Sequence, residues 1–410
     1  MRFFHRRGWL VSLVVVMALL LAGCGGSTST GGQANDADKG SGDTLKVGFL
    51  GDLSGPYADM GKESLDAIQT AVNEINEQGG LLGKKVELVY EDDELKPDIA
   101  LRKAEKMVLD QGVKFLFGNT SSAAALALEE KLPQWGVLMF GYVTKSVKVT
   151  APEVNENFFR ACHNDDQDKA AIEDYLKRGG VKYQNYYLVG ADYEWGHDMV
   201  EQLENIVKNL NGNIVGKEFT PLGSTEFGTV ITNIRSKKPD VVLAALGGTD
   251  QVNFLKQVES FGLMKDGIDV IVTPLMNISL KAEVAGVRGP LNYHYSIDTP
   301  LNKNFVERFE KEHGYKPPNF GGEAYNAALM LFEAIKKSQS TDVETLKKTL
   351  EDNFEFETNL GRLKIDPETH QLMHPNYIFE TVKDPATGKM DLKLVHTTPI
   401  EVANAVYLNK

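Results

Sequence analysis

From Thr44 onward, short apolar runs alternate with longer stretches in which apolar residues recur every three or four positions. Leu45-Lys46-Val47-Gly48-Phe49-Leu50 reads as a buried strand. Over 61–78, Leu65, Ile68, Val72 and Ile75 fall on one helical face, and Gly79-Gly80 ends that helix. A strand over 86–90, a helix over 97–110 and a strand over 113–117 follow. The programme then recurs as strand 186–189, helix 196–210, strand 214–219, helix 227–236 and strand 241–246. Val86 to Val113 and Ile214 to Val241 are each 27 residues apart, although the two halves share little residue identity. This alternation predicts an α/β fold with mostly parallel sheets, built as two lobes of similar βαβ construction. A further helix over 323–337, with an Ala/Leu/Met/Phe face, is expected to pack back onto the first lobe.

Ahead of Thr44 the pattern is different. Arg2, Arg6 and Arg7 precede an apolar run over 9–22, which closes on Leu21-Ala22-Gly23-Cys24. Crossing a bilayer takes roughly 20 apolar residues, and this run has 14. A charged start, a short apolar run and small residues mark a secretory signal. Leu-Ala-Gly-Cys resembles the bacterial lipoprotein box. That resemblance implies a signal peptide over 1–23, lipidation of Cys24 and a flexible Gly/Ser/Thr/Asn/Asp linker over 24–43. The folded part is then extracytoplasmic and touches a bacterial membrane through its lipid anchor only.

Removal of 1–23 leaves 387 residues, enough for two domains. With 42% hydrophobic and 25% charged residues the chain is globular. Losing the three arginines moves the net charge from −13 to −16, which disfavours nucleic acid and anionic membrane surfaces as partners. With Cys24 committed to the anchor, Cys162 has no disulfide partner and reads as a buried apolar residue.

In βαβ units the ligand loops lie at the carboxyl ends of the strands, so two facing lobes place a binding cleft between them. The loops concerned are 51–60, 118–122, 140–144, 191–196 and 247–250. Ser121 and Ser122 open an Ala-rich helix, where they either cap backbone N–H groups or, with those groups, hold a carboxylate or phosphate. Tyr142 and Thr144 either close the same anion site or form a turn with a buried tyrosine. Asp192 reads as a helix cap, and Trp195 as an aromatic wall over an apolar ligand. Asp250 is a cap, a dipole partner or a counter-charge for an ammonium group. Glu91-Asp92-Asp93-Glu94 reads as a solvated loop. His370 and His374 have metal-ligand spacing, but Pro367 and Pro375 bracket them and no third ligand is evident. No G-x-S-x-G, H-E-x-x-H, Walker A or G-x-G-x-x-G motif occurs, which favours a non-catalytic binder.

The stretch Val47-Gly48-Phe49-Leu50-Gly51-Asp52-Leu53-Ser54-Gly55-Pro56-Tyr57-Ala58-Asp59-Met60-Gly61 resembles the opening strand and loop of type I periplasmic binding proteins. More narrowly, it is similar to the branched-chain amino acid (Leu/Ile/Val) receptors of ABC importers. Gly79-Gly80-Leu81-Leu82-Gly83, Gly118 with Ser121-Ser122, Asp192-Tyr193-Glu194-Trp195-Gly196 and Phe254-Leu255-Lys256-Gln257 extend the likeness over 45–377. The resemblance implies two Rossmann-like lobes joined by three crossovers around an interlobe cleft. Lobe one would comprise 44–162 plus 292–352, and lobe two 163–291 plus 353–410. By position, Ser121, Ser122, Tyr142 and Thr144 would hold a ligand carboxylate, with Tyr57 in the first cleft loop and Trp195 as the aromatic residue of lobe two. No acid stands around Thr273-Pro274-Leu275-Met276-Asn277, so Asp250 is the nearest partner for a ligand ammonium.

The implied function is a lipid-anchored substrate-binding protein that captures a branched-chain or similar apolar or aromatic amino acid by lobe closure. It would deliver that ligand to ABC permease and ATPase subunits. Relatives with altered pockets bind amides, urea or aromatic carboxylates, and a sensory ligand-binding receptor of the same fold is the rival reading. No enzymatic activity, cofactor, metal or nucleic acid is expected, and the chain is expected to be a monomer.

Overall fold

The computed structural model describes residues 44–151 and 156–408, which belong to one compact unit. The export signal, Cys24 and the linker expected over 1–43 lie outside the described residues. Strands β1 (Thr44–Gly51), β2 (Lys85–Asp92), β3 (Phe115–Gly118), β4 (Leu138–Gly141) and β5 (Phe158–Arg160) form a parallel sheet in the order β2-β1-β3-β4-β5. Strands β6 (Asn185–Ala191), β7 (Asn213–Thr220), β8 (Val241–Ala245), β9 (Asp269–Val272) and β10 (Arg288–Leu291) repeat that order as β7-β6-β8-β9-β10. The 27-residue intervals are thus the same crossing of the sheet centre made twice, β2 to β3 and β7 to β8.

A short three-stranded sheet, β11 (Glu355–Thr358), β12 (Gly361–Ile365) and β13 (Leu372–Met373), comes next. The hairpin β14 (Asn376–Lys383) and β15 (Met390–Thr398) then joins the second sheet antiparallel to β10. The stretch 353–410 is therefore divided, because β11 packs against helices on the first-lobe side and only from Asn376 does the chain enter the second sheet.

The helices are α1 (Ala58–Glu77), α2 (Pro97–Leu109), α3 (Ser122–Glu129), the single turn α4 (Leu132–Trp135), α5 (Asp165–Arg178), α6 (Glu194–Asn209), α7 (Gly228–Lys237), α8 (Gly248–Ser260), α9 (Pro300–His313), α10 (Asn319–Ser338), α11 (Val343–Glu351) and the single turns α12 (Ile400–Ala403) and α13 (Ala405–Leu408). Helices cover both faces of a parallel sheet, so its strands read as continuous apolar runs; Val47, Phe49 and Leu50 of β1 are all buried. On α1 the stripe Ala67, Ile68, Ala71, Val72 and Ile75 is buried, and α1 packs along α10, the helix expected to return to the first lobe. The chain passes between the sheets three times, after β5, after β10 and before β14. At the first crossing Asn164 and Gln167 form a capping box on α5, a device worth about 1 kcal/mol.

One glycine sets the mouth of each lobe. A Cβ at Gly61 would meet the Asp52 carbonyl oxygen at 1.9 Å, and a Cβ at Gly196 would meet that of Ala191 at 1.9 Å. Each absence of a side chain lets the first turn of α1 or α6 press onto the end of the preceding strand.

Two loop readings are corrected. The run Glu91-Asp92-Asp93-Glu94 is not a solvated loop: Glu91 and Asp92 finish β2, and Glu91 pairs with Lys103 (2.6 Å) and Lys106 (2.7 Å). Asp93 is buried and accepts from Leu95 N (2.9 Å) and Asn119 Nδ2 (3.2 Å). Asp192 does not cap α6; the N-cap is Tyr193, and the Asp192 carboxylate lies 2.8 Å from His197 Nε2.

Candidate functional site in the interlobe cleft

The carboxyl ends of both sheets face one cavity between the lobes, which the surrounding side chains close down to about 20 Å³. Tyr57 comes from the loop after β1 and Met60 from the first turn of α1, Thr120 from the loop after β3, and Val143 and Lys145 from that after β4. Across from them stand Tyr193 and Trp195 after β6, Gly247 after β8, and Pro274 and Met276 after β9, with Phe320 of α10 alongside. The lobes touch around this space. Tyr57 and Tyr193 hydroxyls are 3.3 Å apart, and Thr249 N donates to the Pro56 carbonyl (3.1 Å). At the rim Lys148 pairs with Glu194 (2.6 Å) and Asp198 (2.9 Å), Ser146 bonds Asp198, and Lys281 pairs with Asp59.

Of the residues expected at the site, Tyr57 and Trp195 line the cavity. Trp195 is held by its indole N–H, which donates to Asp165 Oδ1 at 2.9 Å. Burial raises the Asp165 carboxyl well above the usual carboxylate range, with Asp168 nearby adding to the effect.

The four expected anion-site residues are buried beside the cavity and bonded to the protein. Tyr142 stacks on Phe49 (centroids 5.2 Å apart) and donates to the Leu50 carbonyl (3.1 Å), so it faces the interior of its own lobe. The Thr144 hydroxyl donates to the Asn119 carbonyl, tying two cleft loops together. Ser121 caps α3 by accepting from Ala124 N, and Ser122 Oγ accepts from Ser146 N. Because both serines act as acceptors, each keeps its hydroxyl proton to donate. Asp250 lies in the first turn of α8, is buried, and accepts from Gly223 N at 2.8 Å, pinning the loop after β7.

Lys145, one position past the loop 140–144, was not among the expected site residues. Its side chain is 5% exposed, and its Nζ has no hydrogen-bond partner. Asp168 Oδ2 stands 3.5 Å away and Glu323 Oε1 4.0 Å away. Glu323 Oε1 already accepts from His163 N (3.0 Å) and Asn292 Nδ2 (2.8 Å), and Asp168 Oδ1 from Asn376 Nδ2 (3.0 Å). Burial acts to lower the Lys145 pKa, but the Asp168 and Glu323 carboxylates outweigh it, so the pKa is raised and the ammonium stays charged. His163, fully buried beside this group, is pushed down to about 3 by burial and by the Lys145 charge, and is therefore neutral. The available signal was position: a basic residue immediately following a carboxyl-end loop. His370 and His374 do not act as a pair; His370 stacks on Phe159 and His374 packs against His163. Among the described residues no group of three His, Cys, Asp or Glu is placed to hold a metal, and no helix is long and apolar enough to cross a membrane.

The sequence model of the periplasmic binding protein family matches residues 44–388. The Leu/Ile/Val-binding protein BraC3 of Rhizobium johnstonii is 28% identical over 329 residues, covering 78% of this chain and 86% of that protein. The Leu/Ile/Val-binding protein of Escherichia coli is 26% identical over 331 residues, covering 78% and 86%. Among solved structures, the solute-binding protein of an ABC transporter from Rhodopseudomonas palustris in complex with 3,4-dihydroxybenzoic acid superposes with a TM-score of 0.79. It is 26% identical, and the match covers 87% of this chain and 98% of that one. The chain belongs to the periplasmic binding protein family, with the two-lobed type I fold. The family is one of extracytoplasmic solute-binding proteins of ABC transporters.

Proposed function

We propose that this member of the periplasmic binding protein family is a monomeric receptor, lipid-anchored through Cys24, that closes its lobes around a small solute with an apolar or aromatic body and one carboxylate. It presents that solute to an ABC permease, and ATP is hydrolysed on separate subunits. The observation that carries this reading is the make-up of the cavity, in which aromatic and aliphatic side chains from both lobes accompany one cation among the described residues, Lys145. Tyr57 and Trp195 form the aromatic walls, while Ser121 and Ser122 offer hydroxyl donors at the positive end of α3. Ligand binding shifts the lobes toward the closed arrangement because only there do both walls contact the solute.

The branched-chain amino acids named for the curated relatives and the dihydroxybenzoic acid of the structural neighbour share a carboxylate on an apolar body. An amino acid is one reading. A carboxylate without an amine is the second, favoured because no acidic side chain lines the cavity among the described residues.

A thermal-shift panel of leucine, isoleucine, valine, phenylalanine, benzoate, 4-hydroxybenzoate, benzamide and urea tests the proposal. At a hundredfold excess over Kd a bound ligand adds about 2.7 kcal/mol of stability. At least one carboxylate is expected to shift the transition. Shifts from benzamide or urea alone would overturn the carboxylate class.

A further inference from the structure

We propose that Lys145 makes the cleft selective for carboxylates that carry no neighbouring ammonium, its Nζ being the group that takes the ligand carboxylate. The inference rests on the solute-receptor reading above and specifies its ligand. A buried ammonium with no acceptor is unfavourable, and native structures satisfy such groups with protein, water or ligand. Asp168 Oδ2, which accepts no hydrogen bond, lies 3.5 Å from Nζ, and Glu323 Oε1 lies 4.0 Å away; both carboxylates hold the Lys145 charge in place, and neither lines the cavity. Lys145 lines the cavity, and an ionised acceptor that reached Nζ there would form the strongest bond. The Tyr57 and Tyr193 hydroxyls, paired at 3.3 Å from opposite lobes, supply further donors within the same space.

Among the described residues no acidic side chain lines the cavity to pair with a ligand ammonium. Asp250 accepts from Gly223 N through Oδ2 and Asp165 from Trp195 through Oδ1, and neither residue lines the cavity. A ligand ammonium in this cavity would also share it with the Lys145 side chain, and like charges repel there.

The test compares matched acids on the wild-type protein by calorimetry: 4-methylpentanoate with leucine, 3-phenylpropanoate with phenylalanine, and benzoate with benzamide. Each amine-free acid is expected to bind at least about tenfold more tightly than its α-amino or amide counterpart. Lys145→Met should lower affinity for the acids by a further factor of about ten or more and leave benzamide unchanged. Because that variant leaves two buried carboxylates without their cation and is at risk of misfolding, the wild-type pairs decide the matter without it. If leucine or phenylalanine binds as tightly as its matched acid, the selectivity is overturned while the receptor reading stands. If no acid, amino acid or amide binds the wild-type protein, the receptor reading fails and the inference fails with it.

Discussion

At the ends of β1 and β6 the chain makes the same move, with Gly61 and Gly196 each letting a helix settle onto a strand end at 1.9 Å from a virtual Cβ. What the two lobes then bring to the cleft differs. The loops of lobe one carry Tyr57, Thr120 and the charged Lys145, backed by buried acids at Asp52 and Asp93. Those of lobe two carry Tyr193, Trp195, Gly247, Pro274 and Met276, with no charge among them. A repeated topology thus fixes where ligand groups arrive and leaves their chemistry to the loops, with lobe one as the polar anchor and lobe two as an apolar lid.

The comparison is broken most severely by removing the lid's aromatic wall. Trp195→Ala should weaken binding of the tightest panel ligand by about 2–4 kcal/mol, roughly 30- to 1,000-fold in Kd by calorimetry. The loss combines ligand contact with the indole donor to Asp165.

Lobe one is also where buried acids limit stability. Glu129, at the end of α3, is buried with both carboxyl oxygens unpartnered, and burial pushes its pKa up to about 9 from an ordinary 4.5. Its folded pKa lies above its unfolded one, so this contribution is fully present below about 4.5 and is lost as pH rises toward about 9. Glu129→Gln should flatten that decline and gain about 2–4 kcal/mol at pH 8 in urea unfolding. His163, after β5, acts in the opposite sense. His163, depressed to about 3 from 6.5, makes the fold lose stability as pH falls through that window. A wild-type profile that rises steadily from pH 5 to 9 would contradict the assignment of Glu129.

A smaller effect lies at the rim. Asp198→Asn removes the carboxylate that bridges Ser146 and Lys148 across the lobes. Because Lys148 is largely exposed, the loss should be no more than about fivefold in Kd, accompanied by a larger ligand-free radius of gyration in small-angle scattering. The smallest effect is expected at Asp250→Asn, within about twofold for every panel ligand, since the amide still accepts from Gly223 N. A tenfold loss confined to amino acids would instead make Asp250 the ammonium partner.

The lobes were legible because parallel strands covered on both faces appear as apolar runs such as Leu45–Leu50, and because the carboxyl-end rule pointed to the loops of Tyr57 and Trp195. The orientation of Tyr142 was not legible. It depends on Gly51, where a Cβ would meet the tyrosine oxygen at 2.1 Å, and on the stacking partner Phe49, 93 positions away. The acid run 91–94 was misread because its partners, Lys103, Lys106 and Asn119, belong to other elements. Lys145 carries no local signal of burial; Asp168 and Glu323, which hold its charge, are supplied by helices that meet only in the folded chain.

The account is tested most directly by a crystal structure with the tightest panel ligand bound. It predicts the apolar body between Tyr57 and Trp195 and a carboxylate oxygen within hydrogen-bond distance of Lys145 Nζ. A ligand seated outside that cavity, or one whose carboxylate points away from Lys145, would contradict it.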